Sequence, residues 1–346
     1  MRRATVMSSI PDGGAPPPDL APGLSFTSVV DRALLHRRHS TEAFLTGAVR
    51  TGPDCFAAAA LLPPAHPHYA GHTGPSRHRD PMLLLECARQ AETYAAHALF
   101  GVEPDAHFVL RNWSAEFSPA PAGAAAGPTE LLITAVTGNP RVVRDRVRGL
   151  DYQLELWADD ARVGLVRMEV GYLSHPAYTV VRSREHPQVL PSSDCLAPAG
   201  GCPVAPTRVG RVRATDTVLL DVAATGRTVS ARLRVPVENV SLFDHAQDHI
   251  PAMVLVEAAR QLAALAVAQW GGAAPERTEL RSMSSSFGAY AELTEPIELT
   301  ATPGPAAAGW SVELSFRQAG SEIAQAQLAM AERGPERGMT WSGPQS

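Results

Sequence analysis

A nine-residue pattern occurs twice in this 346-residue chain, once in each half. Residues 82–90 read MLLLECARQ and residues 253–261 read MVLVEAARQ, so matching residues recur at a separation of 257 − 86 = 171 positions. Solenoid repeats have periods of only about 20–50 residues. The sequence therefore predicts a duplicated domain, in which each copy places a carboxylate, Glu86 or Glu257, inside an apolar helix.

Each copy of the pattern opens a long helix. Pro81 stands at the first helix start and Gly101 follows its predicted end, while Pro251 opens the second helix and Gly271 helps to close it. The second helix is apolar on all sides, which predicts a buried central helix. The first carries a polar stripe whose spacings of four, three and four place its members on one face: Glu86, Gln90, Thr93 and His97.

Segments of alternating apolar and polar residues surround each helix, and several are joined by turn signals such as Asp159-Asp160. This pattern predicts an α+β fold in which an antiparallel sheet wraps one long helix in each half. The predicted organisation is a disordered segment 1–23, a first domain 24–182, a Pro/Gly/Ser-rich linker 183–206, a second domain 207–333 and a tail 334–346.

Charge and composition narrow the function classes. The net charge is −5, so nothing favours a nucleic-acid partner. The chain has no Lys, so a bound phosphate must be held by Arg, His or backbone N–H groups. The four Cys show no zinc spacing, and neither a metal nor another cofactor is predicted. No signal-like segment or apolar run of about 18 residues is present. We expect a soluble, cytoplasmic protein without a membrane partner.

The lead-in to the second helix, D-H-A-Q-D-H, is the strongest candidate for catalysis. His245 and His249 are suited to moving protons near neutral pH, and Asp244 is a further acid/base candidate. The free N–H groups around Ala252 and Met253 at the helix start can stabilise an oxyanion. A simpler alternative is that the aspartates of this segment only cap the helix.

The repeated carboxylates are the remaining acid/base candidates. Glu257 and Glu86 lie in apolar helices, and burial there would raise the pKa of either carboxyl group. Alternatively, Glu257 only forms a local salt bridge with the arginine three residues later. The Arg-Gln pairs that follow the two carboxylates are candidates for substrate binding: Arg89, Gln90, Arg260 and Gln261.

A loop rich in His and Arg precedes the first helix. His66, His78 and Arg79 in this loop are candidates for substrate binding, since arginine suits phosphate. A solvated polar loop is an equally good interpretation. Metal binding has little support, because the loop has no HxxxH pair and no Cys partner.

Residues 237–261, VENVSLFDHAQDHIPAMVLVEAARQ, resemble the A-factor biosynthesis (AfsA-type) family of γ-butyrolactone autoregulator synthases. The first half is similar to the family at LLHRRHSTEAFLT (34–46), HPHY (66–69) and HRDPMLLLECARQ (78–90). FGAYAEL (287–293) also looks like the family. The resemblance spans about residues 30–330 and implies two hot-dog domains in tandem, each a long helix wrapped by an antiparallel sheet.

The resemblance also implies an activity. Family members are thought to transfer a β-ketoacyl group from an acyl-carrier-protein thioester to a hydroxyl of dihydroxyacetone phosphate. Aldol closure of that ester leads to butyrolactone-, butenolide- or furan-type signalling molecules. A more distant likeness to hot-dog dehydratases points to His245, and divergence of the two loops argues for one active site. Rival hypotheses are a dehydratase or thioesterase acting on acyl thioesters, and a non-catalytic acyl-binding module. Assembly as a homodimer is left open.

Overall fold

The computed structural model describes residues 19–74, 79–119, 127–185, 190–197 and 200–333. The predicted tail and most of the predicted N-terminal segment lie outside the described residues. Within them the helices are α1 (Pro81–Ala98), α2 (His175–Glu185) and α3 (Ala252–Gly271), with short 3-10 turns between other elements. Helices α1 and α3 are the two that the repeated pattern predicts. Helix α2 crosses the predicted boundary between the first domain and the linker.

The strands of the first half are β1 (Leu45–Gly52), β2 (Cys55–Leu62), β3 (His107–Phe117), β4 (Thr129–Val143), β5 (Arg146–Ala158) and β6 (Ala161–Leu173). Those of the second half are β7 (Leu219–Thr225), β8 (Thr228–Leu233), β9 (Thr278–Phe287), β10 (Ile297–Ala306), β11 (Gly309–Gln318) and β12 (Ser321–Glu332).

All twelve strands form one antiparallel sheet in the order β1-β2-β4-β5-β6-β3-β9-β12-β11-β10-β8-β7. Each half contributes six consecutive strands, and β3 pairs with β9 where the halves meet. That pairing runs from Asn112 opposite Ser286 to Glu116 opposite Ser282. Hydrogen bonds therefore continue across the junction, and the two halves share one sheet.

The sheet wraps the two long helices. Helix α1 packs on β1, β2, β5 and β6, while α3 packs on β7 to β12. Every α3 residue from Met253 to Val267 is buried, as its all-round apolar sequence predicts. By length and composition α3 could cross a membrane, but 83% of its apolar stretch is buried inside the protein, which is the property of a core helix. The layout agrees with the predicted tandem hot-dog.

The predicted hairpin at Asp159-Asp160 is present between β5 and β6. Both aspartates have positive φ, 48° and 58°, as a two-residue turn between twisted antiparallel strands requires. On α1 the predicted polar stripe does not face solvent. Glu86, Gln90 and Thr93 are buried, because segments from outside the helix cover them.

Candidate active site

A cavity of about 570 Å³ lies where the two halves meet. Its first-half wall is formed by α1, β3 and β6, and its second-half wall by residues 241–249 and the start of α3. It brings together six of the predicted site residues: Arg89, Asp244, His245, His249, Ala252 and Met253. A cavity of this size is sufficient for a small-molecule substrate.

The first Asp-His pair of the D-H-A-Q-D-H segment is anchored to the other half of the molecule. The carboxylate of Asp244 accepts hydrogen bonds from the backbone N–H groups of Arg38 and His39, and it lies 3.3 Å from Nδ1 of His245. These donors lower the pKa of Asp244 despite its burial. The side-chain amide of Gln247 donates to Nε2 of His245 at 2.8 Å. Nε2 is therefore the unprotonated nitrogen, and Nδ1 carries the proton towards Asp244.

The second Asp-His pair also places an imidazole Nδ1 beside a carboxylate. Nδ1 of His249 lies 2.7 Å from the carboxylate of Asp248, which also accepts a hydrogen bond from the hydroxyl of Tyr178 at 2.7 Å. Arg182 lies 3.7 Å from the same carboxylate. The pKa of Asp248 is lowered, with the His249 hydrogen bond as the largest favourable cause. The D-H-A-Q-D-H segment thus supplies two oriented imidazoles to one cavity.

The start of α3 opens into the cavity without a cap. Its N-cap residue is Pro251, and no side chain caps the helix. Within the described part of the chain, the N–H groups of Ala252 and Met253 find no acceptor. In α1 the equivalent N–H of Met82 is bonded at 2.7 Å by the side chain of Asp80. The free positive end of a helix is thus available at α3 but occupied at α1.

A buried ion cluster lines the first-half wall. Glu86 is fully buried and accepts hydrogen bonds from Arg37 at 3.1 Å, from Arg89 at 2.7 and 2.8 Å, and from Gln90 at 2.7 Å. Arg37 and Arg89 both line the cavity. Because two guanidinium groups share one carboxylate, the cluster keeps one net positive charge beside the cavity. The same two arginines lower the pKa of Glu86 to about 2.

The second half repeats this cluster away from the cavity. Glu257 is fully buried and is bound by Arg211, Arg260 and Gln261. The expectation that burial raises the pKa of these carboxyls is wrong, because Arg211 and Arg260 hold the pKa of Glu257 well below its usual range. Neither Glu257 nor Glu86 lines the cavity. Both carboxylates are ionised at neutral pH and engaged by guanidinium and amide groups, which favours a structural role over proton transfer to a substrate.

The Arg-Gln pairs have a structural explanation too. Oε1 of Gln90 accepts the backbone N–H of Phe44 at 2.9 Å, and its amide donates to the carbonyl of Glu42. Gln261 binds the N–H of Val218 at 3.1 Å and donates to the carbonyl of Asp216 in the same way. The repeated E-x-x-R-Q therefore ties each long helix to the segment that leads into its own sheet. Arg89 alone of the four residues also reaches the cavity.

The equivalent junction at the start of α1 is filled with side chains. Asp80 is ion-paired with His72, and Arg211 donates to the carbonyl of His68 at 2.7 Å. His68 is in turn 2.9 Å from the carboxylate of Asp216. These groups are buried, and they fill this junction among the described residues. Among the described residues, the open space at a helix start is thus seen at α3, not at α1.

Several residues of the cavity were not predicted from the sequence, and three of them are titratable or polar groups with unusual surroundings. Glu92 is buried, accepts a hydrogen bond from Tyr172 at 2.8 Å and lies 3.1 Å from the hydroxyl of Thr93. Burial raises its pKa to about 7. Trp113 is also buried, and its indole N–H has no partner among the described residues. Burial and the neighbouring His97 lower the pKa of His36 to about 3, so this imidazole is neutral.

The other predicted binding residues lie elsewhere. His66 is buried 3.3 Å from Glu42, and Arg79 pairs with Asp159 at 2.8 Å beside a cavity of only about 20 Å³. His78 lies outside the described residues. Within the described ranges, no group of three or more His, Cys, Asp or Glu side chains is placed to hold a metal ion.

Comparisons with known proteins agree with this architecture. The model of the A-factor biosynthesis hotdog domain matches residues 20–173 and 197–331. A 2-oxo-3-(phosphooxy)propyl 3-oxoalkanoate synthase of Streptomyces virginiae is 34% identical over 290 residues, which cover 81% of this chain and 90% of the relative. The synthase of the same name from Streptomyces coelicolor is 31% identical over 297 residues, covering 85% and 89%.

Among solved structures, a protein of Lactobacillus plantarum described as an oleoyl thioesterase superposes with a TM-score of 0.50 at 9% identity. The match covers 82% of this chain and 99% of that one, and at this identity it bears on the fold alone. The α+β tandem hot-dog prediction is confirmed. The two family matches, one in each half, and the relatives above 30% identity establish that the chain belongs to the A-factor biosynthesis hot-dog family.

Proposed function

We propose that this protein is an acyltransferase that condenses a β-ketoacyl thioester with dihydroxyacetone phosphate, giving the 2-oxo-3-(phosphooxy)propyl 3-oxoalkanoate named in its relatives. The observation that carries the proposal is the cavity itself. It combines an oriented histidine, the uncapped start of a helix and a positively charged arginine cluster. These are the parts needed to activate a hydroxyl, stabilise an oxyanion and hold a phosphate.

His245 is the proposed base. Its Nε2 accepts a hydrogen bond from the side-chain amide of Gln247, and a substrate hydroxyl would take the place of that amide. Asp244 fixes the tautomer and stabilises the imidazolium once a proton has been taken. The hydroxyl oxygen of the triose phosphate attacks the thioester carbon as its proton moves to His245. The C–S bond then breaks, and the thiol leaves with that proton.

The N–H groups of Ala252 and Met253 are the proposed donors to the oxyanion. They lie at the positive end of a 20-residue helix, where negative charge is favoured. A preorganised donor of this kind contributes on the order of 10²–10³ in rate. His249 lies next to these donors on the cavity wall and would face the thioester sulfur.

The phosphate would be held by Arg37 and Arg89. Arg37 contacts Glu86 through Nε and Nη2, and its Nη1 makes no hydrogen bond within the described residues. Nη1 of Arg89 makes only a 3.5 Å contact with Thr93. Both guanidinium groups can therefore donate to a phosphate without giving up Glu86. This arrangement favours a phosphorylated acceptor over water, and so favours a transferase over a thioesterase or a purely acyl-binding module.

The acyl chain would lie against the apolar wall of the same cavity, formed by Phe108, Leu110, Trp113, Met168 and Val170 of β3 and β6. An unpaired buried N–H costs about 1–3 kcal/mol until it finds an acceptor. The 3-oxo oxygen of a β-ketoacyl chain would supply that acceptor to the indole of Trp113.

The decisive experiment incubates the protein with a 3-oxoacyl thioester and dihydroxyacetone phosphate and searches for the phosphorylated ester by mass spectrometry. Arg89→Gln should raise the KM for the triose phosphate about tenfold to a hundredfold, with a smaller change in the KM for the thioester. Release of the free 3-oxo acid alone would replace the transferase with a thioesterase. An acyl-carrier protein as donor, a cytoplasmic location and self-association into a homodimer are further parts of the proposal.

A further inference from the structure

A second cavity, of about 510 Å³, adjoins the first at the start of α3. The two cavities share a wall formed by Phe108, Leu110, His249 and Ala252. Its remaining lining comes from β3, β4, β5, β6, α2, the start of α3, and the end of β9 with the loop that follows it. One proposed oxyanion donor, Ala252, and one Asp-bound imidazole, His249, are thus reached from both sides.

The second cavity contains a positive group that the fold does not use. Arg141 binds Asp151 at 2.9 Å, and Arg148 binds Glu103 at 3.0 Å, a carboxylate that it shares with Arg146. Two of the three lining arginines are therefore already held by carboxylates. Arg111 is exposed and makes no side-chain hydrogen bond or ion pair within the described residues.

Arg111 is the extra residue at a bulge in β3, between Leu110 and Asn112 in the pairing with β6. A bulge re-aims a side chain that would otherwise follow the strand alternation. The neighbouring carboxylate that lines the cavity, Glu169, is engaged by the side-chain amide of Asn112 at 2.6 Å. The Arg111 guanidinium is therefore the available anion-binding group of this cavity.

We propose that the second cavity receives the phosphopantetheine arm of the thioester donor, with Arg111 binding its phosphate. This inference rests on the proposed acyl transfer, which brings two substrates to one carbonyl carbon. The triose phosphate occupies the arginine side of the first cavity, so the sulfur-bearing arm needs a separate approach to the same helix start. The second cavity provides that approach, because it ends on Ala252 and His249.

The test compares three 3-oxoacyl donors: the N-acetylcysteamine thioester, which lacks the phosphate end of the arm, the coenzyme A thioester and the acyl-carrier-protein thioester. Arg111→Glu should raise the KM for the last two about tenfold and leave the N-acetylcysteamine donor and the triose phosphate unchanged. Arg208→Glu is the matched control: Arg208 is also exposed and lines neither cavity. It should change none of these values.

A second variant tests the cavity without using charge. Ala289 is exposed on the lining, so Ala289→Trp should obstruct the cavity and leave the core intact. It should lower kcat/KM for all three donors at least tenfold while the KM for the triose phosphate stays constant.

Other outcomes overturn the assignment. An equal effect of Arg111→Glu on all three donors would show that Arg111 does not bind the phosphate. An effect confined to the carrier-protein donor would show the same. If Ala289→Trp raises the KM for the triose phosphate, the triose phosphate, and not the phosphopantetheine arm, occupies the second cavity. If the unaltered protein forms no ester with any donor, the proposed function itself fails, which is a separate result.

Discussion

Replacement of Glu257 by glutamine distinguishes a structural role, in which the carboxylate binds two arginines, from a catalytic role. Glu257 accepts five hydrogen bonds of 2.6–3.0 Å: two from Arg211, two from Arg260 and one from Gln261. Glutamine retains one acceptor oxygen and turns an –NH₂ group towards the guanidinium groups. It also raises the net charge of the buried cluster from +1 to +2.

Breaking a buried ion pair by removing one partner costs about 3–5 kcal/mol. We therefore expect Glu257→Gln to lower the free energy of unfolding by about that amount at pH 7. The matched variant Glu86→Gln should cost less, about 1–3 kcal/mol, because the side chain of its partner Arg89 is 23% exposed and water can reach that cluster.

The pH dependence gives a second check. The folded-state pKa of Glu257 is lowered, so its contribution to stability is complete above the unfolded pKa of about 4.3 and is lost as the pH falls through the folded value. The difference between wild type and Glu257→Gln in urea unfolding should therefore be constant above about pH 5 and shrink in acid. Wild-type stability combined with abolished turnover would refute the structural role and restore an acid/base role.

Three further variants address the cavity. His245→Gln should lower kcat about 10²–10⁴-fold with little change in the KM for the triose phosphate. A larger loss of kcat in His249→Gln would identify His249 as the base in place of His245. The pKa of Glu92 is raised, so its contribution to folding stability is complete below about pH 4 and is lost as the pH rises through about 7. The free energy of unfolding of Glu92→Gln, relative to wild type, should therefore increase by about 3 kcal/mol between pH 5 and pH 8. The same difference between the two proteins at both pH values would contradict this. Trp113→Phe should reduce the preference for 3-oxoacyl over saturated donors roughly tenfold. The control is Trp157→Phe, because the indole N–H of Trp157 is also unpaired among the described residues but lies outside the cavity. An equal loss of preference in this control would show that the indole of Trp113 does not select the substrate.

The long helices could be predicted because their signals are local: Pro81 and Pro251 open them, and apolar residues fill them. Strand β2 could not be predicted from alternation, since its segment CFAAAALL is buried on both faces. Part of α1 covers one face, and Leu24 packs with Ala57 and Ala59 on the other. Strands covered on both sides lose the period of two on which such a prediction depends.

The candidate site also has parts that local sequence could predict and parts that it could not. Asp244 to His249 are neighbours along the chain, so the sequence alone was enough to group them as candidates, and the structure places them on one cavity. The pKa of Glu257 was predicted in the wrong direction because Arg211, its partner, comes from a distant segment. One signal was available: Arg37 and Arg211 stand 211 − 37 = 174 positions apart, close to the separation of the helices. Glu92 and Trp113 gave no comparable signal, since only folding brings them to the second-half loop.

The pair formed by His72 and Asp80 is buried at one junction, whereas the counterpart junction contains the cavity of about 570 Å³. Two identical subunits could not differ in this way, because every substitution would appear in both junctions at once. Joining the copies in one polypeptide removes that symmetry. One junction became free to accumulate buried ion pairs and serve as a mechanical support, while the other kept its unfilled space, an uncapped helix and the histidines. Under the proposed function, covalent duplication would let a single protein place buried ion pairs at one half-interface and the chemistry at the other.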